Sequence, residues 1–188
     1  TETQRRAVSL CDLCGVSDRF SVCMFLCFCG YQMRRRHAFK AESPPDPRYN
    51  NRLVQKLINM LMEDGKQSIA ERIVFEAFDQ LKQATNTNDV LTVFHKATEN
   101  VRPHVELKAR RVGGATYQIP IEVRHDRSIS LALRWIRSAA RSRRGAPMSK
   151  RLADELLSAF KGEGSAVRKR EEIHKMAEAN RAFAHYRW

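Results

Sequence analysis

The segment that most constrains the fold runs from Val105 to Val123 and reads VELKARRVGGATYQIPIEV. Apolar and polar residues alternate on both sides of Gly113-Gly114, as they do in strands with one buried face. Two alternating runs joined by a glycine pair predict a β-hairpin at about residues 104–124. Because Pro120 cannot donate to a ladder, we expect an edge strand in a free-standing ribbon that could extend about 30 Å.

Three helices are predicted before the hairpin, from apolar residues that recur at three- and four-residue spacing. The pattern of the first helix stops at Asp64-Gly65. Ser68 and Glu71 have the spacing of a capping box that opens the second helix. Asp89 can cap the third helix, and Pro103 closes it.

Three more helices are predicted after the hairpin. The fourth has an apolar face that includes Ile129 and Ile136. Pro147 lies where a first-turn proline is tolerated in the fifth, and the last begins near Ser165. The patterns together predict a mainly α fold, with about six helices in one domain, a protruding two-stranded β-hairpin and a basic N-terminal arm.

The charge of the chain indicates a polyanionic partner. Lys and Arg number 34 against 21 acidic residues among 188, a formal net charge of +13. Clustered cations gain affinity for phosphates by releasing condensed counterions, so nucleic acid is the leading candidate. A membrane partner is disfavoured, because the longest apolar candidate, Phe20 to Tyr31, is shorter than the roughly 20 residues that span a bilayer.

Composition divides the chain at Gln32-Met33. All five Cys precede this point, and residues 1–32 carry three Arg and three acidic residues, so the whole +13 lies from Met33 onward. We expect residues 1–32 to be an appendage outside the main domain, with Met33 as a natural start. Residues 33–47 form a basic, Pro-rich arm and 48–188 the helical domain.

The five Cys could supply thiolates for a zinc ion. They are Cys11, Cys14, Cys23, Cys27 and Cys29. The last two are separated by one residue, which is tight for a tetrahedral site, and no His assists. We therefore expect no metal here and no cofactor elsewhere.

Arginines follow one face of the predicted fourth helix. Arg134, Arg137, Arg141 and Arg144 are spaced by three, four and three residues, with Arg143 nearby. Guanidinium groups bond phosphate oxygens bidentately. A solvated charged face is the alternative, but such faces normally mix signs, and this segment has no acid between Asp126 and Asp154. The pattern favours contact with a phosphate backbone.

Catalytic motifs are missing from the sequence. The six His are scattered, and none is placed with a Cys as in a nucleophilic site. Residues 162–165, GEGS, lack the glycine-lysine-hydroxyl spacing of a phosphate loop, and no strand precedes them. We expect a protein that is not an enzyme.

From Asp46 to Trp188 the order of motifs resembles the family of the seventh protein of the small ribosomal subunit. The resemblance is carried by LKARRVGGATYQIPIEV at 107–123, ALRWI at 132–136 and KMAEANRAFAHYRW at 175–188. The last string is similar to the bacterial and organellar form. Residues 1–32 match nothing in the family pattern.

The resemblance implies binding to the 3′ major domain of the small-subunit ribosomal RNA, where this family nucleates assembly of the head. Cations of the arm, the hairpin and the fourth helix are expected to contact that RNA: Arg34, Arg35, Arg36, Lys40, Lys108, Arg110, Arg111, Arg134, Arg137, Arg141, Arg143 and Arg144. Neighbouring ribosomal proteins are expected partners, and the bacterial cytoplasm the expected location, with an organellar ribosome as the alternative.

Family members also lie at the exit-site face, near transfer RNA and the messenger path. The residues expected there are Val112, Gly113, Gly114, Arg168, Lys169, Arg170, Arg181 and Arg187. Without the resemblance, two other readings compete. The hairpin would suit a DNA-architectural protein with a basic β-ribbon arm, and basicity alone would allow an RNA-processing enzyme.

Overall fold

The structure is a computed structural model that describes residues 43–87 and 89–186. Its elements, in chain order, are α1 (Arg52–Leu61), α2 (Gln67–Thr85), α3 (Val90–Val101), β1 (Val105–Val112), β2 (Ala115–Glu122), α4 (His125–Ser142), α5 (Met148–Lys161), α6 (Ser165–Ala179) and a 3₁₀ segment (Arg181–Tyr186). The expected mainly α fold with six helices and a two-stranded hairpin is confirmed in this part of the chain. The arm cations Arg34, Arg35, Arg36 and Lys40, the five Cys and Arg187 lie outside the described residues.

The core is built from the apolar stripes of the helices. Helix α5 packs against α2, α3 and α4, and its Leu152 and Leu156 are fully buried. Phe78 of α2 and Phe94 of α3 are also fully buried, with their ring centroids 5.5 Å apart. Truncating a buried aromatic ring typically costs about 3–5 kcal/mol, so this pair is a main contributor to stability.

One predicted helix start differs from the structure, and one predicted N-cap residue makes no capping bond. Helix α2 begins at Gln67, so Ser68 lies inside the helix and the capping-box prediction is wrong. The turn at Gly65, where φ is +74°, leads into a helix whose N-cap is Lys66, two residues before Ser68, and the side chain of Glu71 accepts a bond from that of Gln67 at 2.6 Å. Asp89 does occupy the N-cap position of α3, but its side chain makes no capping bond.

The hairpin has the predicted tip. Val112 pairs with Ala115, which leaves Gly113 and Gly114 as a two-residue turn with φ of +59° and +89°. Two positive φ values are the geometry that matches the twist of the flanking strands, and glycine adopts them without strain.

Pro120 is accommodated by the register of the ladder. It lies opposite Leu107, and Val123 donates to the carbonyl of His104 at 3.0 Å. Because hydrogen-bonded and non-bonded pairs alternate in an antiparallel ladder, the Leu107–Pro120 pair is a non-bonded one. The missing N–H of Pro120 therefore removes no hydrogen bond between the strands.

The hairpin is not free-standing along its whole length. Each strand has eight residues, β1 packs against α6, and β2 packs against the 3₁₀ segment. Ile119 is fully buried, and the ring of Tyr117 lies 5.1 Å from that of Phe183. The expectation of a free-standing ribbon is wrong for the base of the hairpin, because apolar side chains there need a partner. Residues 109–111 and 113–116, near the tip, are exposed.

The chain enters the helical domain through a turn at Asp46. The side chain of Asp46 is 1% exposed, and its carboxylate accepts the backbone N–H groups of Arg48 and Tyr49 at 3.2 and 3.0 Å. Arg48 then bonds both carboxylate oxygens of Asp79 and lies 5.4 Å from the ring centroid of Tyr49. These contacts hold residues 46–49 against α2.

Candidate nucleic-acid interface

The predicted arginine stripe is split by the end of α4. The helix ends at Ser142, so Arg134, Arg137 and Arg141 lie on it, and Arg143 and Arg144 follow it. Arg134, Arg141 and Arg144 are exposed, whereas the other two are half-buried. The stripe therefore does not face solvent uniformly.

Arg137 and Arg141 bond the C-terminal end of α1. They donate to the carbonyls of Met60 and Leu61 at 3.0 and 3.3 Å, and Arg141 also forms an ion pair with Glu63. The last four carbonyls of a helix have no partner inside the helix, and a cation is favoured there by the helix dipole. Both arginines thus stabilise the fold, although each keeps further N–H donors.

Arg143 is paired with a buried carboxylate. Its Nε and Nη2 donate to Oε2 of Glu155 at 3.0 and 2.7 Å, and Glu155 has no exposed surface. A buried carboxylate without a cation would be strongly destabilising. Arg143 therefore has a structural role that the run of arginines did not predict.

Two more arginines cap helix ends in the same way. Arg170 donates to the carbonyl of Asn100 near the end of α3, and Arg151 donates to the carbonyl of Arg143 just after α4, at 2.7 Å. Asn100, in turn, donates through its side-chain amide to the carbonyls of Ala159 and Phe160 at 3.0 and 3.1 Å. Part of the positive charge of the chain is thus used inside the fold.

The remaining predicted cations that the structure describes are exposed. The guanidinium groups of Arg110, Arg111, Arg134, Arg144, Arg168 and Arg181 have no hydrogen bond or ion pair to another residue that the structure describes. Lys108 approaches Glu106 at 3.6 Å, and Lys169 approaches Glu172 at 3.2 Å. Exposed pairs of this kind are worth about 0–1 kcal/mol, so they give way readily to a stronger anion.

The cationic residues of the hairpin have a fixed base beneath them. Arg127 of α4 donates to Oε2 of Glu106 at 2.7 Å, which ties β1 to the start of α4. Across the ladder, Arg110 is paired in register with Tyr117, whose ring contacts Phe183 of the 3₁₀ segment. The hairpin and the terminal segment that carries Arg181 therefore present one surface.

A histidine pair joins the base of the hairpin to α6. The backbone N–H of His104 donates to Nε2 of His174 at 3.2 Å, and the two ring centroids are 6.0 Å apart. Burial, with smaller contributions from Arg170 and His104, lowers the pKa of His174. His174 is therefore neutral at pH 7 and accepts this bond without adding to the cationic surface.

Glu155 was missed by the reading of the sequence, although a signal for it existed. It lies three residues after Leu152, at a position of the α5 repeat where apolar residues are expected. An acid on an apolar stripe indicates a buried charge that needs a partner. A cation cannot be assigned to it from spacing alone.

Two site types are absent from the described parts of the chain, 43–87 and 89–186. No group of three or more His, Cys, Asp or Glu there could hold a metal ion. None of the described helices combines the length and the apolarity needed to cross a membrane.

Comparisons with known proteins identify the family of the chain. The family described as Ribosomal protein S7p/S5e matches residues 33–181. Three bacterial proteins named "Small ribosomal subunit protein uS7" are similar to the chain. That of Dictyoglomus turgidum is 59% identical over 155 residues, which are 82% of this chain and 99% of that protein. Those of Thermosipho africanus and Thermotoga maritima are 57% and 56% identical over 156 residues, which are 83% of this chain and 100% of each relative. The chain therefore belongs to the ribosomal protein S7p/S5e family.

Proposed function

We propose that the chain is a structural protein of the small ribosomal subunit, bound to the 3′ major domain of a 16S-type ribosomal RNA, where it nucleates assembly of the head. The observation that carries the proposal is the set of exposed guanidinium groups on α4, just after it, and on the hairpin. Arg134 and Arg144 flank the end of α4, and Arg110 and Arg111 lie near the hairpin tip. They have no partner among the described residues.

Phosphate contact is the chemistry that suits these residues. A guanidinium donates two parallel N–H bonds to phosphate oxygens, and each neutralised phosphate releases counterions. Arg137, Arg141 and Arg143 stay in the proposed RNA-binding set with Lys108, but as lesser contributors, since each already bonds protein groups. The arm residues Arg34, Arg35, Arg36 and Lys40 complete the set.

A second part of the proposal concerns the exit-site transfer RNA and the messenger. The tip residues Val112, Gly113 and Gly114 and the cations Arg168, Lys169, Arg170, Arg181 and Arg187 are the proposed contacts. The hairpin packs against α6 and the 3₁₀ segment, so these three elements form one surface. That packing supports the second part of the proposal. Neighbouring ribosomal proteins are proposed partners, and a bacterial ribosome is the proposed location, with an organellar one as the alternative.

The test is a binding competition with the full chain. We expect tighter binding to the isolated 3′ major-domain RNA than to duplex DNA of equal length, at every salt concentration. Equal or tighter binding to duplex DNA would contradict the proposal and favour the DNA-architectural alternative. That alternative needs apolar wedges on the ribbon. Ile119 is buried and Tyr117 is packed against Phe183, so neither is available as one.

A further inference from the structure

Glu155 connects three helices through one carboxylate. Its Oε2 accepts two bonds from Arg143, at the end of α4, while the residue itself belongs to α5. Its Oε1 accepts the hydroxyl of Ser165 at 3.1 Å and the backbone N–H of Ala166 at 3.0 Å, both in the first turn of α6. All four bonds therefore join Glu155 to the end of one helix, α4, or to the beginning of another, α6.

The start of α6 is fitted closely around this carboxylate. A Cβ added at Gly164 would lie 3.0 Å from Oε1 of Glu155 and 3.2 Å from the backbone nitrogen of Ala159. A side chain at position 164 would therefore force Glu155 or the backbone of Ala159 to move by a few tenths of an ångström. The carboxylate also lies where the dipole of α6 favours a negative charge. The hydrogen bonds to Glu155, its negative charge and the close approach at Gly164 therefore together fix where α6 begins.

The direction of α6 decides where two proposed RNA contacts lie. Arg168 and Lys169 are within the first turn and a half of the helix, and both are exposed. Further along, His174 accepts the backbone N–H of His104 at the base of the hairpin. A change at the start of α6 would thus move the exposed cations relative to the hairpin.

We propose that Glu155 is a positioning residue for RNA binding: it holds the first turn of α6 so that Arg168 and Lys169 meet phosphates together with the hairpin. This inference rests on the proposed function. Glu155 touches no RNA itself, because it is fully buried. Its effect on binding passes through the two exposed cations.

The experiment compares Glu155→Gln with Glu163→Gln in the full chain. Both changes remove one negative charge, but Glu163 is exposed, so it is the matched control. We expect about a tenfold loss of affinity for the 3′ major-domain RNA in E155Q and none in E163Q. In a background with R168A and K169A, the further loss caused by E155Q should disappear. An equal loss in both backgrounds would overturn the proposal, because it would show a general structural effect.

Amide hydrogen exchange without RNA gives an independent readout. E155Q should speed exchange at residues 166–170 more than in the core helices. Ser165→Ala removes one of the four bonds and keeps the charge pair, so it should show the same selective effect more weakly even if E155Q folds poorly. Unchanged exchange at 166–170 in S165A and E155Q would contradict the positioning role. If the unaltered chain failed to bind the RNA, the proposed function would fail and Glu155 would be structural only.

Discussion

Arg143 and Arg144 are neighbours in the chain but differ in what surrounds their guanidinium groups. Arg143 faces the buried carboxylate of Glu155, while Arg144 is exposed. The same division separates Arg137, which bonds the Met60 carbonyl, from Arg134, which is exposed. At the scale of single residues, an arginine is structural where a carboxylate or carbonyl oxygen of the protein lies within reach of its guanidinium group. Where none does, the group stays available for RNA.

This division predicts different outcomes for two pairs of substitutions. Arg134→Ala with Arg144→Ala should lower the slope of log affinity against log salt by about 2 units, near 1 per lost phosphate contact. Arg137→Ala with Arg141→Ala should instead lower the free energy of unfolding, by about 1–2 kcal/mol, because carbonyls of α1 lose charged donors. Salt titration of RNA binding and urea denaturation measure the two effects. An unchanged slope in the first pair would mean that those arginines contact no phosphate in the RNA complex.

At the scale of elements, the hairpin depends on its turn and on its docking against α6. Gly113 and Gly114 supply the positive φ values of the turn, and nothing lies within 4 Å of a Cβ added at either one. The obstacle to another residue there is therefore backbone conformation and not space. His104 and His174 hold the other end of the ribbon.

Replacing Gly113 and Gly114 by Ala should loosen the tip without unfolding the domain. The left-handed region costs a residue with a Cβ about 1–2 kcal/mol. We expect faster amide exchange near residues 110–117, with little change in the core helices. The exposed Gly145, which also has a positive φ of +87°, offers a control for Gly-to-Ala strain elsewhere. Equal loosening of the whole domain would contradict a local role for the turn.

The His104–His174 contact predicts a pH dependence of stability. Because the pKa of His174 is lowered in the folded state, the unfolded chain binds the proton more readily. The contribution is complete above the unfolded pKa of about 6.5 and is lost as pH falls through 6.5 towards the folded pKa. Urea denaturation from pH 8 to 5 should show a smaller loss of stability in His174→Gln than in the unaltered chain. Parallel curves for the two proteins would show that His174 does not carry this effect.

At the scale of the whole molecule, the features that depend on nearby residues were the ones predictable from the sequence. The Gly113-Gly114 turn follows from local chemistry. The start of α6 at Ser165 could be placed from the local pattern, although Glu155 of the preceding helix also holds it. The bond from Arg137 to Met60 joins residues 77 positions apart, and no pattern of spacing contains it. The capping box at Ser68 is an exception among local features, since the turn at Gly65, three residues earlier, moved the helix start. The exposed part of the cationic surface could therefore be separated from the structural part only in the folded chain.

The proposed division of the chain at residue 33 also makes a prediction. Removal of residues 1–32 should leave the midpoint of thermal unfolding and the affinity for the 3′ major-domain RNA unchanged, because the +13 charge lies from Met33 onward. Circular dichroism and filter binding measure both. Further removal of residues 33–42 takes away four Lys and Arg residues and should weaken RNA binding, which makes it the informative comparison. A loss of stability from the first truncation would show that the appendage is part of the fold.

The capping of α1 by Arg137 and Arg141 has a consequence for synthesis of the chain. The carbonyls of Met60 and Leu61 receive their donors from residues 77 and 80 positions later. At about 5–20 residues per second, a translating ribosome needs roughly 4–16 s to add that length. During this interval the C-terminal end of α1 lacks these two donors. The packed helical domain can therefore close only after most of the chain has been made, so newly made protein is exposed to proteases and chaperones until α4 has emerged.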